Sequence, residues 1–258
     1  MEVISPVQQD PIAYVSDLEI GLPKAAPGLA RGEGEPEGIK LIEGVEQAFI
    51  ADKSLISFIT NVPAQNREDI LQSTLLAQLA ANKKYPKEDD ILHWYQMFAE
   101  VLSNIGWLVE GKDISTFESS GQVFEVQDAI IKILTAAFGG NYLSVITKTL
   151  EAVKALSDED RRILAFEKNT HTLKKGCFQI GLAVVEKDAV FLHLGTFLLT
   201  SDHKIKQILF FRATKDKTKL EYISKRATFS PVAYSQIRNT VAEKIKEHMT
   251  AYVSEISI

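Results

Sequence analysis

Apolar and polar positions change their spacing twice along the chain. Through residue 38 they keep no period: Pro6, Pro11, Pro23, Pro27 and Pro36 interrupt the run, and Arg31 to Gly38 reads RGEGEPEG. That pattern predicts an irregular arm over 1–38. From Ile39 the period becomes helical. Asn66 is placed to cap a helix, with Glu68 and Asp69 in its first turn and Leu71, Leu75 and Leu79 on one face. Tyr85-Pro86 ends it. A second helix is expected from near Glu88, with Ile91, Tyr95, Phe98, Leu102 and Ile105 aligned, stopping at Gly106. Trp107 to Val126 reads as extended, with a turn at Ser119-Ser120-Gly121. Val126, Ala129, Ile130, Ile133, Leu134 and Ala137 form a wide helical stripe that Gly139-Gly140-Asn141 stops. Leu143, Ile146, Leu150 and Val153 begin the next helix after so short a link that the two must run antiparallel. Ser157 is placed to cap one more, ahead of Asp158, Glu159 and Asp160.

After Lys175 the period drops to two. Cys177 to Val185, Val190 to Thr200, Ile205 to Ala213 and Leu220 to Phe229 read as strands. Their links, Glu186-Lys187-Asp188, Ser201-Asp202-His203 and Lys215-Asp216-Lys217, are short and polar, which favours an antiparallel meander. Ser230 and Pro231 then open a terminal helix lined by Ile237, Val241, Ile245 and Tyr252. The strands decide the architecture. Phe178, Ile180, Leu182 and Val184 face one way and Gly181, Ala183 and Val185 the other. In the next strand the faces are Val190, Leu192, Leu194 and Leu198 against Phe191, Phe197 and Leu199. A sheet with one wet face alternates apolar with polar. Both faces here need cover, so the expected fold is an α/β (α+β) three-layer sandwich over 39–258, an antiparallel sheet wrapped by helices on both faces.

Composition adds exclusions. A formal charge of -5 argues against nucleic acid as a partner, since phosphate binding needs clustered Lys and Arg. Met1 to Asp10 has neither a basic nor an apolar signal region, so synthesis without a secretory signal is expected. No apolar run approaches the roughly 20 residues of a spanning helix. Cys177 is the sole cysteine, which leaves no intrachain disulfide.

Chemistry is sparse. His93, His171, His193, His203 and His248 form no zinc-ligand pair, so no metal is expected. Gly32, Gly34 and Gly38 lack a preceding strand and enclose Pro36, which speaks against a phosphate loop. His193 reads as a core or near-edge histidine with a local hydrogen bond, not a ligand. Cys177 follows Lys174, Lys175 and Gly176, with His171 six positions back, so a Cys–His dyad is conceivable, but a small apolar residue entering a strand is the plainer reading. Acidic pairs such as Asp89-Asp90 and Glu159-Asp160 stand at helix starts. No catalytic residue, cofactor site or enzymatic activity is expected.

From about Trp94 onward the order of elements resembles the Cyt family of cytolytic δ-endotoxins. The similar stretches are SNIGWLVEGKDIS (Ser103 to Ser115), GQVFEVQDAIIKILTAAFG (Gly121 to Gly139), YLSVITKTLEAVKAL (Tyr142 to Leu156), KIKQILFFRAT (Lys204 to Thr214) and SQI (Ser235 to Ile237). The resemblance implies a helix-wrapped antiparallel sheet and a protein that binds membrane phospholipids and permeabilises them, oligomerising on the membrane. In the family's pore model the helices lie on the surface and long strands insert. Carried to this chain, the candidate inserting positions are Phe178, Ile180, Leu182, Val184, Val190, Leu192, Leu194, Phe197, Ile208 and Phe210. Lys187, Asp188, Asp202, Lys204, Lys206 and Arg212 lie in or beside these strands and raise the cost of insertion unless they stay at the interface. The arm has no counterpart in the pattern; a propeptide and a plain flexible arm are both open. The scaffold is also similar to a bacterial virulence factor that carries a fatty acyl group on a cysteine, and Cys177 is the residue that could take that part.

Overall fold

The computed structural model describes residues 10–22, 39–86, 90–111, 113–119, 121–187 and 189–258. The RGEGEPEG stretch with Gly32, Gly34 and Gly38, the helix start near Glu88, and Asp89, Ser120 and Asp188 lie outside them. Within the expected arm, Asp10 accepts hydrogen bonds from the amides of Ile12 and Ala13, and Pro11 takes the first helical position. Helix α1 (Pro11–Asp17) results, and it buries Val15. Residues 10–22 of the arm are thus attached: His248 bonds the Gly21 carbonyl at 2.7 Å and Lys244 donates to that of Ser16 at 2.7 Å.

Two strands follow where a helical period was expected. Asp52, at φ 52°, and Lys53 turn the chain between β1 (Gln47–Ala51) and β2 (Ser54–Phe58). Helix α2 (Ala64–Lys84) begins two residues before the predicted cap, with Pro63 at the N-cap. The Glu43 carboxylate, brought from another segment, accepts from the Ala64 amide at 3.2 Å in place of an Asn66 side chain. After α3 (Ile91–Asn104), the short strands β3 (Trp107–Gly111), β4 (Ser115–Thr116) and β5 (Val123–Glu125) lead to α4 (Val126–Phe138) and α5 (Leu143–Ala155). In α6 (Arg161–Thr170) the cap is Asp160, which accepts from Arg162 at 2.9 Å; Ser157 contributes only its carbonyl, to the Asp160 amide.

The long strands are β6 (Lys175–Glu186), β7 (Ala189–Ser201) and β9 (Thr218–Phe229). The predicted strand from Ile205 to Ala213 does not form. Only Arg212–Thr214 is extended, as β8, paired with β5 in a separate two-stranded sheet. Ile205, Ile208, Leu209 and Phe211 are apolar because this irregular segment lies over the sheet as cover. Its backbone is satisfied elsewhere: the Ile205 amide by the Leu173 carbonyl, that of Ile208 by the Glu167 carboxylate. Ser230 and Pro231 open α7 (Pro231–Ser235), a separate turn before α8 (Arg238–Tyr252), and the chain closes on a further unpredicted strand, β10 (Val253–Ile256).

The main sheet runs β10-β1-β2-β6-β7-β9-β3, with β4 also on β9. Its pairs are antiparallel apart from β2 with β6, which the excursion through five helices allows to be parallel. The three layers expected from the strand faces are present. Ala183, Val190, Leu192 and Leu194 pack towards α2, α3 and α8; Phe178, Ile180, Leu182, Val184, Phe197 and Leu199 pack towards α4, α5 and α6.

Helix α2 is buried almost throughout, polar positions included. Arg67, wholly buried, donates to the carbonyls of Val62 (2.8 Å), Val45 (2.8 Å) and Ile59 (3.0 Å) and to the Gln47 side chain (2.8 Å). One guanidinium thereby fixes the segments entering β1 and leaving β2. Truncation leaves several buried acceptors unpaired, each costing about 1–3 kcal/mol. Arg67→Ala is expected to lower stability by at least about 3 kcal/mol, read as a shift in the urea midpoint, whereas the exposed Lys132→Ala should leave the midpoint nearly unchanged.

Candidate membrane-interacting elements

The β6–β7 hairpin is the most apolar unit of the sheet. Its register runs without a break from Lys175↔Thr200 to Glu186↔Ala189. At about 3.3 Å per residue, its 12 and 13 residues reach roughly 40 Å, against roughly 30 Å for a bilayer core. Its charged groups sit at the ends, in Lys175, Glu186 and Lys187, and its interior contains only Cys177 and His193 as ionisable side chains. The buried polar atoms of the interior satisfy one another: Ser54 donates to Gln179 at 2.8 Å and Gln179 to Thr196 at 3.1 Å.

Of the candidate inserting residues, Phe178, Ile180, Leu182 and Val184 lie on β6, and Val190, Leu192, Leu194 and Phe197 on β7, all buried. Ile208 and Phe210 are not brought into that hairpin. They sit in the irregular cover, Ile208 buried and Phe210 half-buried beneath the Lys154 ammonium.

The α4–α5 pair roofs one face of the hairpin with Val126, Ile130, Ile133, Leu134, Val145, Ile146, Leu150 and Val153. Few polar contacts hold it down. The Ser57 and Thr149 hydroxyls meet at 2.9 Å between β2 and α5, Lys148 pairs with Glu46 at 2.7 Å, and the Tyr142 hydroxyl donates to Glu186 at 3.2 Å. Gly195 lies beneath α4: a Cβ there would stand 2.8 Å from Leu134 Cδ2 and 2.9 Å from the Phe197 ring, so those side chains would have to shift.

His193 faces this roof. Its ring centroid lies 4.7 Å from that of Phe138 on α4, and among the described residues neither ring nitrogen has a hydrogen-bond partner, contrary to the local bond expected. On the flanking strands its register partners are Leu182 and Arg226. Arg226 stacks on Phe191 at 3.8 Å and pairs with Glu186 at 3.0 Å. Burial first, and then the Arg226 charge, hold the His193 pKa below its ordinary value, with Glu186 opposing.

Cys177 and His171 line one cavity of about 560 Å³ with Tyr85, Trp94 and Tyr252. The His171 nitrogens lie 2.7 Å from the Glu167 carboxylate and 2.7 Å from the Thr172 carbonyl. Burial pushes the Cys177 thiol up to about 11. Among the described residues no group of three His, Cys, Asp or Glu side chains is placed to hold a metal ion, and no helix is long and apolar enough to cross a membrane. The interior histidine without a partner was not legible as such, because a strand period gives burial but not hydrogen bonding.

No protein-family model matches the chain, and no curated protein does. Among solved structures it is similar to a delta-endotoxin, at 11% identity and a TM-score of 0.43 over 78% of this chain and 90% of that one. It is similar to the activated Cyt2Ba monomer from Bacillus thuringiensis subsp. israelensis, at 15% identity and a TM-score of 0.31 over 51% of this chain and 79% of that one. It is also similar to the Evf virulence factor, at 13% identity and a TM-score of 0.32 over 96% of this chain and 91% of that one.

The His193 environment has a pH consequence. Its proton affinity is lower in the folded chain than in the unfolded one, so the unfolded state takes up the proton first as pH falls. The contribution to stability is complete above the unfolded value of about 6.5 and is lost progressively below it. The melting temperature should fall between about pH 7.5 and pH 5.5, and should fall less in His193→Leu. Equal slopes for the two proteins would remove His193 as the cause.

Proposed function

We propose that this chain is a toxin-like, membrane-perturbing protein whose α4–α5 roof lifts at a lipid surface and whose β6–β7 hairpin then enters the bilayer. The observation that carries the reading is the hairpin itself, long enough to span and uncharged between its ends, under a helix pair held by an apolar stripe and a few polar contacts. Closed hydrogen bonding is what strands need in hydrocarbon, so insertion on this reading requires several copies to pair edge to edge. The resemblance of the chain from about Trp94 onward to the Cyt family supports the same assignment. Ile208 and Phe210 have no place among the inserting positions on this reading, since they do not lie on a long strand.

A second reading, a fatty acyl group on Cys177 in a protein that binds lipid without forming pores, has the cavity of about 560 Å³ beside that thiol in its favour. Intact mass of protein from its native source separates the two: an added acyl mass on Cys177 supports the second, and the unmodified mass removes it.

The roof offers the direct test. Ser57→Cys with Thr149→Cys, in a Cys177→Ala background, replaces hydroxyls already 2.9 Å apart with a disulfide from β2 to α5. Dye release from phosphatidylcholine vesicles should be abolished in the oxidised protein and return on reduction. Equal release in both states would show that the roof need not lift, and no release from the unclamped parent would remove the membrane-perturbing reading.

A further inference from the structure

The two ends of the β6–β7 hairpin differ in charge. At the open end four segments are tied together: the Ser201 amide bonds the Lys174 carbonyl (2.9 Å), Ile205 that of Leu173 (2.9 Å), Asp202 that of Lys217 (3.0 Å) and Lys215 that of Gln122 (3.0 Å). These bonds gather the exposed side chains of Lys174, Lys204, Lys206, Arg212, Lys215 and Lys217 on one end of a chain whose net charge is -5. Of the acids nearby, one offsets a cation of this end and two are held by neighbouring polar groups. Glu125 pairs with Arg212 at 2.6 Å, Asp158 accepts from Gln207 at 2.7 Å, and Glu167 accepts from His171 and the Ile208 amide. Asp202 and Asp216 lower the charge of this end without cancelling it. Among the described residues, Lys204, Lys206, Lys215 and Lys217 enter no ion pair.

The same end carries exposed large apolar side chains, Leu173 (61% exposed), Val123 (54%) and Leu164 (49%). Between them lies a groove of about 840 Å³ with Ile163, Leu164, Phe210 and Phe211 along its wall and Lys204, Lys206 and Arg212 at its rim. Basic rim, aromatic wall and protruding aliphatics match the polarity gradient of a membrane interface, where cations meet headgroup phosphates and apolar tips enter the acyl boundary.

We propose that this end of the sheet is the docking surface, and that its ligand is a bilayer surface bearing anionic phospholipid. The proposal rests on the membrane-perturbing reading and specifies where and with which lipid class first contact is made. Docking here holds the open end of the hairpin in the headgroup layer and leaves the roof helices α4 and α5 free to follow. It also accounts for Ile205 to Ala213 being an irregular cover: a strand would set Ile208 on the same face as Lys204 and Lys206, whereas this segment buries Ile205 and Ile208 and keeps both lysines in water.

The test compares flotation of the full chain with phosphatidylcholine vesicles and with the same vesicles containing phosphatidylserine, at low and high salt. Wild type should bind the anionic vesicles more tightly, and salt should remove the difference. With each lysine near the surface contributing roughly fivefold in affinity, Lys204→Glu with Lys206→Glu should weaken that binding by about thirtyfold or more. Lys132→Glu with Lys246→Glu, exposed lysines elsewhere, should change it little, and unchanged melting temperatures would show both pairs folded. Equal binding by the two double variants overturns the docking surface, as does wild-type indifference to phosphatidylserine; in either case dye release from phosphatidylcholine vesicles would leave the membrane-perturbing reading standing. Competition by inorganic phosphate against the anionic vesicles also overturns it, in favour of a soluble-anion site.

Discussion

Everything in this fold follows from one constraint: the central strands β6 and β7 are apolar on both faces. A strand pair of that kind cannot border water on either side, so the chain must supply two complete roofs. It supplies them unequally. Helices α2, α3 and α8 form a thick layer in which α2 is itself buried, while α4, α5, α6 and the Ile205–Phe211 cover form a thinner layer with a solvent face. The sheet therefore has a permanent side and a side closed by elements that each bury one stripe.

The permanent side depends on polar groups in the interior. Helix α2 carries Arg67, Asp69, Gln72, Ser73, Thr74 and Gln78 into the core, where an apolar helix would have been simpler. Half of these fix something other than α2. Arg67 ties down the segments around β1 and β2, Gln78 bonds the Ala51 carbonyl and the Lys53 amide at their turn, and Asp69 takes a bidentate pair from Arg238 on α8 at 2.7 and 2.8 Å. A buried carboxylate facing Arg is costly to leave unpaired, which makes α8 and α2 a single unit. On the other side, the Ser57–Thr149 contact ties α5 to β2 and Arg162 on α6 donates to the Glu255 carbonyl of β10 at 2.8 Å.

This asymmetry separates what could be read in the sequence from what could not. The faces of β6 and β7 were legible because alternation survives as two sets of apolar residues, and α4 with α5 because their stripes are wide and their link short. The strands β1, β2 and β10 were not, because runs of four or five residues are too short to show a period of two against the helical patterns beside them. Ile205 to Phe211 misled in the opposite direction: a short apolar run between polar links reads like a strand, but its burial is that of a lid, and the run alone cannot tell which backbone partners a segment will find. The caps failed where the capping atom came from a distant residue, as with Glu43 on α2. As for the candidate site, the hairpin residues could be listed from their pattern, whereas the charge of its open end could not, because Lys174, Lys204, Arg212 and Lys217 meet only through the topology.

The magnitudes decide when the thinner roof can open. Lifting α4 and α5 exposes Val126, Ile130, Ile133, Leu134, Val145, Ile146, Leu150 and Val153, at about 1.5–3 kcal/mol each, together with the strand residues beneath them. That sum is on the order of the whole stability of a domain, about 5–15 kcal/mol, so in water the roof cannot lift without unfolding the sheet it protects. Hydrocarbon removes this penalty because it replaces the lost cover with another apolar medium. It does not remove the need to satisfy strand edges, which only further copies can do. On the membrane-perturbing proposal, a barrier that is prohibitive in water and small at a lipid surface makes the surface itself the trigger.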